Sequence, residues 1–486
     1  MSKHIHLIGI CGTAMASLAG MLKAREFRVT GSDNAVYPPM SDFLARLGIA
    51  VAQPFDAKNL EPRPDLVVVG NAISRGNAEL ERVLDERIPL TSMAALLREQ
   101  FLRGSETIAV AGTHGKTTTT SMLAWIFETA HRKPSFLVGG IAENFGGSFQ
   151  LGSGEFIIEA DEYDTAFFDK GPKFLHYFPD AVILTSVEFD HADIYRDLEA
   201  VKTAFKRLVN LAPRRGVIVA WDGESSTNNP TLRQNQPEGW ATQKSNLDEC
   251  VARAFCRVER YGFGENSQWR IADLRQEPER SSWTLLRSGK AWGNFEFAIA
   301  GEYNVLNASA AAAMAAQYGI KPAQIAEALR TFKSVKRRLE VRAEVNGVTI
   351  VDDFAHHPTA IAQTLGALRT RYPGRRMWAV LEPRSNTLRR RVLQKELVEA
   401  LAQADAVVVA AIFKSEAIPE NERLDVQAVV HDIEQRGRPA WHLADADAIV
   451  KKIVPELKAG DVVAVLSNGG FGGIHEKLAG ELKRRS

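Results

Sequence analysis

The string Ala111-Gly112-Thr113-His114-Gly115-Lys116-Thr117-Thr118 stands between an apolar run, Thr107 to Val110, and a stretch of helical pattern. This pattern predicts strand, glycine turn and helix in succession, the opening of a parallel α/β unit. Glycines let backbone N–H groups close on phosphate oxygens, and the helix N-terminus adds the positive end of its dipole. Lys116 is then expected to reach the β- and γ-phosphates of a nucleoside triphosphate, and the Thr117 hydroxyl to sit on Mg²⁺. Val110 stands where the usual phosphate loop has its first glycine. The plain alternative, a glycine turn with an incidental lysine, does not explain a Gly-Lys followed by Thr117, Thr118, Thr119 and Thr120.

At 486 residues the chain exceeds what one core supports, so about two to four domains are expected. Its 60 basic and 59 acidic residues leave a formal charge of +1, which gives no support to a nucleic-acid partner. Arg389-Arg390-Arg391 and Lys483-Arg484-Arg485 read as solvated helix faces. The 3 cysteines, Cys11, Cys250 and Cys256, form no CxxC pair, which argues against a disulfide framework or a zinc site and fits a reducing compartment. No basic and then apolar leader precedes His4, and no apolar run of about 18 residues exists, so neither a signal peptide nor a membrane partner is expected. The expectation is a cytoplasmic protein, with monomer and homodimer both open.

Residues 4 to 100 alternate strand and helix signals, and Arg103-Gly104-Ser105 reads as a linker. A second α/β unit follows, with strands TIAVAG, EFIIEA and AVILTS and a helix over 116 to 130. The segment from about 221 to 300 turns polar and rich in Trp and Gly, and reads as short antiparallel strands attached to this middle unit. An alanine-rich helix from Asn307 to Tyr318 and a short helix from Pro322 lead into a third α/β unit. The expected architecture is therefore three α/β domains, over 1–103, 104–325 and 326–486. The first and last are Rossmann-like, and the central one is a nucleotide-binding parallel sheet with a small antiparallel addition.

Other strings carry chemistry at strand ends. Gly9-Ile10-Cys11-Gly12-Thr13-Ala14-Met15 is a weak dinucleotide fingerprint, because Cys11 takes the second glycine position, but it is a fair phosphate-binding turn. Asp33 ends the second strand, where a ribose-binding acid belongs. Glu159-Ala160-Asp161-Glu162 ends one strand of the middle unit, and Asp190-His191-Ala192-Asp193 follows another. Carboxylate and imidazole beside a phosphate loop suit Mg²⁺ shared between protein and phosphate oxygens, although either string alone reads as solvent-facing acids. Asp352-Asp353-Phe354-Ala355-His356-His357-Pro358 opens the third unit after Arg337-Arg338, whose guanidinium groups suit a phosphate.

GTHGKTTTT, EADE, DHADIY, EYNVLNA and DDFAHHP, in this order over essentially the whole chain, resemble the Mur ligase family. That resemblance implies ATP-dependent amide formation in bacterial cell-wall synthesis, and it implies site residues position by position. Gly112, Thr113, His114, Gly115, Lys116, Thr117 and Thr118 would bind ATP, joined at the domain junction by Asn304, Asn307, Arg338, Asp353, His356 and His357. Thr117, Glu159 and His191 would hold Mg²⁺, and Lys116, Glu159 and His191 would serve catalysis. GICGTAM, GSD and VVVGNAISRGN resemble the branch that takes UDP-N-acetylmuramate, which would lie on Gly9, Gly12, Thr13, Met15, Asp33 and Asn71. EPRSNT and SNGGFGGIHEKL resemble the members that take a peptide ending in diaminopimelate, L-alanyl-γ-D-glutamyl-meso-diaminopimelate, in peptidoglycan recycling. Arg384, Asn386 and Asn468 would bind that peptide. Several members carry a carbamylated lysine after the DH motif, whereas this chain has Phe205 there, between Lys202 and Lys206.

The nearest rival is the same chemistry on free L-alanine. A dinucleotide-dependent oxidoreductase built on the GICG turn leaves GTHGKTTTT unexplained. A non-catalytic nucleotide-gated binding protein would bind both nucleotides and release no phosphate.

Overall fold

The computed structural model describes residues 2–36, 40–226 and 239–485. Three large sheets divide it, beside a two-stranded ribbon of Asp164–Ala166 and Asp169–Pro172. The first is wholly parallel, in the order Val51–Ala52, Arg28–Ser32, His4–Ile8, Leu66–Val69 and Leu90–Ser92. The chain builds this sheet outward from His4–Ile8 in both directions, so the turn after Ile8 lies at the reversal of strand order, where open α/β sheets place ligands. Ile8 pairs with both Ser32 and Val69, which puts Gly9, Asp33 and Asn71 at one edge.

The central sheet has 10 strands. Thr107–Ala111 lies between Phe156–Ala160 and Ala181–Leu184, again at a reversal of order. Ala111 pairs with both Ala160 and Leu184, so the loops after all three strands emerge at one level. The strands are continuous apolar runs, as burial on both faces requires.

The 221–300 segment differs in part from the expectation of antiparallel strands. Arg257–Gly262 pairs in parallel with Val217–Trp221, and a helix over Gly239–Val251 makes the crossover. Only Trp269–Gln276, Ser281–Arg287 and Lys290–Phe297 form an antiparallel ribbon. Alternating polar residues hid the parallel strand, which is less apolar than its neighbours. Residues 227–238 lie outside the described residues.

The third sheet runs Glu340–Val345, Val348–Asp353, Val462–Leu466, Met377–Leu381, Ala406–Ala410 and Ala440–Leu443. Only the first of these is antiparallel. Leu466 pairs with both Asp353 and Leu381, so the loops at 354–357, 382–389 and 467–470 share one edge.

One apolar core runs from Ile5 to Phe332 through the first two domains, so the helix Pro322–Thr331, which the expected boundary at 325 would cut, packs whole on the central domain; the third domain has cores of its own on the two faces of its sheet. The helix Thr13–Ala24 lies on the edge hairpin of the central sheet. There Ser17 Oγ meets Ser148 Oγ at 2.7 Å, and a Cβ on Gly20 would stand 2.6 Å from the Phe149 ring. The third domain is entered along a strap that pairs with the central sheet, Glu143 N–H donating to Ser334 O (3.1 Å) and Lys336 N–H to Ile141 O (3.0 Å).

Candidate active site

The phosphate loop is closed by two glycines in left-handed backbone. Gly112 has φ +130° and would put a Cβ 2.2 Å from Thr185 Oγ1, and Gly115, φ +78°, would put one 2.5 Å from Asn307 Oδ1. A side chain at either place would be strained by the backbone, and at Gly112 it would also meet the Ser186 backbone. Lys116 opens the helix Lys116–Thr129 and donates to Gly112 O (2.7 Å), Thr113 O (3.3 Å) and Glu162 Oε2 (2.8 Å). Burial opposes its charge, but Glu162 and Asp161 outweigh that and hold the ammonium above the ordinary lysine value. Thr117 Oγ1 donates to Glu159 Oε1 (3.0 Å), whose other oxygen accepts from Gly139 N–H (2.7 Å). Burial pushes the Glu159 carboxyl up. Consecutive loop residues thus grip two acids of one strand end.

His191 falls with Asp161 and Glu162, their ligand atoms all within 4.8 Å of one another. This differs from the expected pairing of His191 with Glu159, which is in neither of the metal-competent groups found among the described residues. Past Ala160 the strand ends, so strand alternation no longer says which acids of EADE share a face. The His191 imidazole lies 3.5 Å from Glu162, and although burial opposes its charge, Glu162, Asp190 and Asp161 raise it to about 9. In this arrangement it keeps its proton at neutral pH. Lys173, unremarked in the sequence, bonds Asp161 at 2.9 Å. No lysine of the helix Leu198–Leu211 takes part. Phe205 is buried against Phe174, Lys202 is buried and pairs with Glu249 (2.8 Å), and Lys206 pairs with the same acid (3.4 Å).

The second metal-competent group, His114, Glu188 and His357, joins the central domain to the third. Glu188 lies 3.4 Å from His114 and 3.6 Å from His357, and accepts from Thr359 Oγ1 at 2.6 Å. Burial would raise its carboxyl, but the two imidazoles hold it down at about 2. Glu188 stands two residues before Asp190, and the EFDH spacing was the signal that could have found it.

Beside the loop, His114, Gly115, Trp221, Tyr303, Asn307 and Thr359 line a narrow cleft. Asn307 Nδ2 is buried there with no hydrogen-bond partner among the described residues. Asn304 Nδ2 donates to Ala300 O (2.8 Å), and its neighbour Tyr303 lines the cleft. Asp353 is also otherwise engaged. Buried, it accepts from Leu339 N–H (2.8 Å), Ala355 N–H (2.9 Å) and Thr364 (3.2 Å), and so anchors the turn that carries Arg338. Arg338 stacks on Phe354 at 5.3 Å and makes no ion pair among the described residues. His356 is half-buried, and desolvation pushes its pKa down to about 4; burial likewise lowers that of His357.

A cavity of about 360 Å³ runs from Asp190, His191 and His356 to Arg384, Asn386 and Asn468, bringing the three expected peptide residues together. Phe413 and Lys414, which the motifs did not suggest, also line it. Asn386 Nδ2 donates to Asp193 (2.7 Å), and Thr387 Oγ1 donates to Asp190 and accepts from Ala192 N–H (3.3 Å). Gly469 makes room for this chain's own Arg384, whose Nε would stand 2.1 Å from a Cβ there. In the first domain Asp33 accepts from Cys11 N–H (2.9 Å) and Ala35 N–H (2.9 Å), and Gly9 takes φ +83°. Gly12 and Thr13 begin the helix and Asn71 is exposed, but Met15, expected at the ligand edge, is buried in the core.

Three matches account for this arrangement. Residues 4–103 match the Mur ligase family catalytic domain, 110–315 the Mur ligase middle domain, and 337–469 the Mur ligase glutamate ligase domain. The chain belongs to the Mur ligase family, whose members are ATP-dependent ligases. It is 42% identical over 484 residues, 99% of both chains, to the UDP-N-acetylmuramate–L-alanyl-γ-D-glutamyl-meso-2,6-diaminoheptandioate ligase of Escherichia coli K12. It is 31% identical over 96% of its length, and 95% of the relative's, to the UDP-N-acetylmuramate–L-alanine ligase of Alkaliphilus metalliredigens. The crystal structure of a murein peptide ligase from Psychrobacter arcticus matches with a TM-score of 0.74 at 35% identity over 99% of each chain. No helix among the described residues is long and apolar enough to cross a membrane.

Proposed function

We propose that this chain joins UDP-N-acetylmuramate to L-alanyl-γ-D-glutamyl-meso-diaminopimelate at the expense of ATP. The observation that carries this reading is the cavity between the central and third domains. One end meets the acid cluster beside Lys116, and the other is lined by Arg384, Asn386, Asn468 and Lys414, a cationic wall suited to a peptide with several carboxylates. Free alanine would leave that wall unused. The name of the 42% identical relative supports the same substrates.

On this reading Gly112–Thr118 hold the ATP phosphates, with Asn307, His114 and Arg338 at the nucleotide and Gly9, Gly12 and Asn71 at the UDP-sugar. The γ-phosphoryl passes to the lactyl carboxylate, releasing ADP and giving an acyl phosphate. The peptide amine attacks the acyl carbon, and phosphate leaves with the amide formed. Lys116 and the loop N–H groups stabilise charge on the transferring phosphoryl, a task of position and electrostatics. The hard oxygen donors of Thr117, Glu159, Asp161 and Glu162 fit Mg²⁺, with His191 at the same cluster. When bound, Mg²⁺ would neutralise phosphate charge. A cytoplasmic location belongs to this reading, because ATP is consumed there and all three cysteines are free thiols.

Phosphate release with ATP, Mg²⁺ and UDP-N-acetylmuramate tests it. The tripeptide should support turnover at far lower concentration than L-alanine. Preference for L-alanine would establish the rival, and no release with either would leave only a binding protein.

A further inference from the structure

Three cations line the outer end of the cavity, Arg384, Arg389 and Lys414, and they differ in what they already bind. Arg384 lies 3.7 Å from the centre of the Phe413 ring and only loosely meets Glu382, at 3.4 Å. Lys414 places its ammonium 5.5 Å from the same ring and makes no ion pair among the described residues. Its backbone is left-handed, φ +48°, a conformation that costs a side chain with a Cβ about 1 kcal/mol or more. The loop is nevertheless fixed there. Arg389 donates to Phe413 O (3.2 Å) and Lys414 O (3.4 Å) and also to Asn386 Oδ1, and Phe413 N–H donates to Pro383 O (3.1 Å). Arg389 is thus a positioning residue, its guanidinium used within the protein, while the lysine it positions is unpaired.

The direction of the peptide follows from the chemistry. Its reacting amine must lie at the acid-cluster end, near Asp190 and His191, so its last residue extends toward Arg384 and Phe413. We infer that Lys414 is a specificity-determining residue that binds the second carboxylate of the terminal diamino acid, while Arg384 takes the first. Phe413 carries both cations and packs on the aliphatic stem between the two carboxylates. This inference rests on the peptide reading above and deepens it. It explains why a lysine is held in strained backbone at a cavity rim with no acid to neutralise it.

The test compares the tripeptide with an analogue in which L-lysine replaces diaminopimelate, which keeps the stem and the amine and lacks one carboxylate. The wild type should show a KM for the analogue about 5- to 20-fold higher, the size expected of one charge-assisted contact. Lys414→Met should raise the tripeptide KM to meet that of the analogue, leaving the analogue's KM and both kcat values unchanged. Lys414→Arg should restore most of the preference. Met and Arg both keep the Cβ that the left-handed backbone strains, so only the charge differs between them. A Lys414→Met enzyme that still prefers the tripeptide overturns the inference, as does a wild type that treats both peptides alike. A wild type that ligates L-alanine and neither peptide overturns instead the reading on which the inference rests.

Discussion

The central domain has two seams, and they are built from opposite materials. Toward the first domain the contact is apolar and continuous. One core spans both, Phe43 and Phe149 meet edge to face at 6.2 Å, and the side-chain hydrogen bond found there among the described residues, Ser17 with Ser148, is buried. Toward the third domain the contact is made chiefly of charges and hydrogen bonds: Glu188 with His357 and Thr359, Asp190 with Thr387, and Asp193 with Asn386. Ile299, Ala300 and Tyr303 lend apolar surface from the central domain to the third domain's core, and Ala142 pairs with Val335 of the strap. Apolar burial is stabilising whatever the ligand state, whereas a polar seam exchanges its partners for water at small net cost. The first two domains are therefore one body, and the third docks on it through polar groups of the candidate site.

The largest effect should come from the polar side. Lys116→Ala should remove ligation by several kcal/mol of lost transition-state stabilisation while leaving UDP-sugar affinity, measured by calorimetry, nearly intact. A parallel loss of both would mean that the first domain depends on the loop across the apolar seam. Gly20→Val attacks that seam itself, because its side chain must displace the Phe149 ring and Leu47. Overpacking of this kind costs about 1–3 kcal/mol and should lower the melting temperature of the first two domains together. Separate transitions would show that they are not one body.

Thr387→Val removes a hydrogen bond to buried Asp190. It should lower kcat/KM through about 1–2 kcal/mol of lost docking, with less change in melting temperature than Gly20→Val. The reverse ranking would undo the contrast between the seams. The smallest effect concerns pH. His191 has its folded pKa raised to about 9, above the ordinary histidine value, so its contribution to stability is complete below about pH 6.5 and is lost as pH rises through 9. In metal-free protein, the melting-temperature gap between wild type and His191→Asn should narrow from pH 6.5 to 9.5. A constant gap would mean that His191 is not held charged.

The same contrast explains what could be read from the sequence. The strands that carry the glycine turns are apolar runs with sharp ends, so the three sheets and the loop Gly112–Thr118 were legible. The residues that bind within the loops were less so. Asp161 and Glu162 lie beyond the end of strand periodicity, and Glu188 belongs to a strand-end loop whose partners, His114 and His357, are remote in sequence. Asn304 and Tyr303 are neighbours on one helix, and only packing decides which faces the cleft. Met15 went to the core because the helix after the glycine turn buries that face against the first sheet. Lys414 sits in no motif, and its place is fixed by Arg389, whose three-arginine run reads as solvated surface.

Native-state hydrogen exchange across a denaturant series measures both seams in one experiment, because segments that open together share one free energy. Residues 15–22 and 147–150 should exchange through a single high-energy opening, as parts of one core. Residues 188–194 and 384–389 should exchange through a separate opening of lower free energy. Equal protection at the two seams, or earlier opening at 15–22, would contradict the division of this ligase into one fused body and one polar-docked domain.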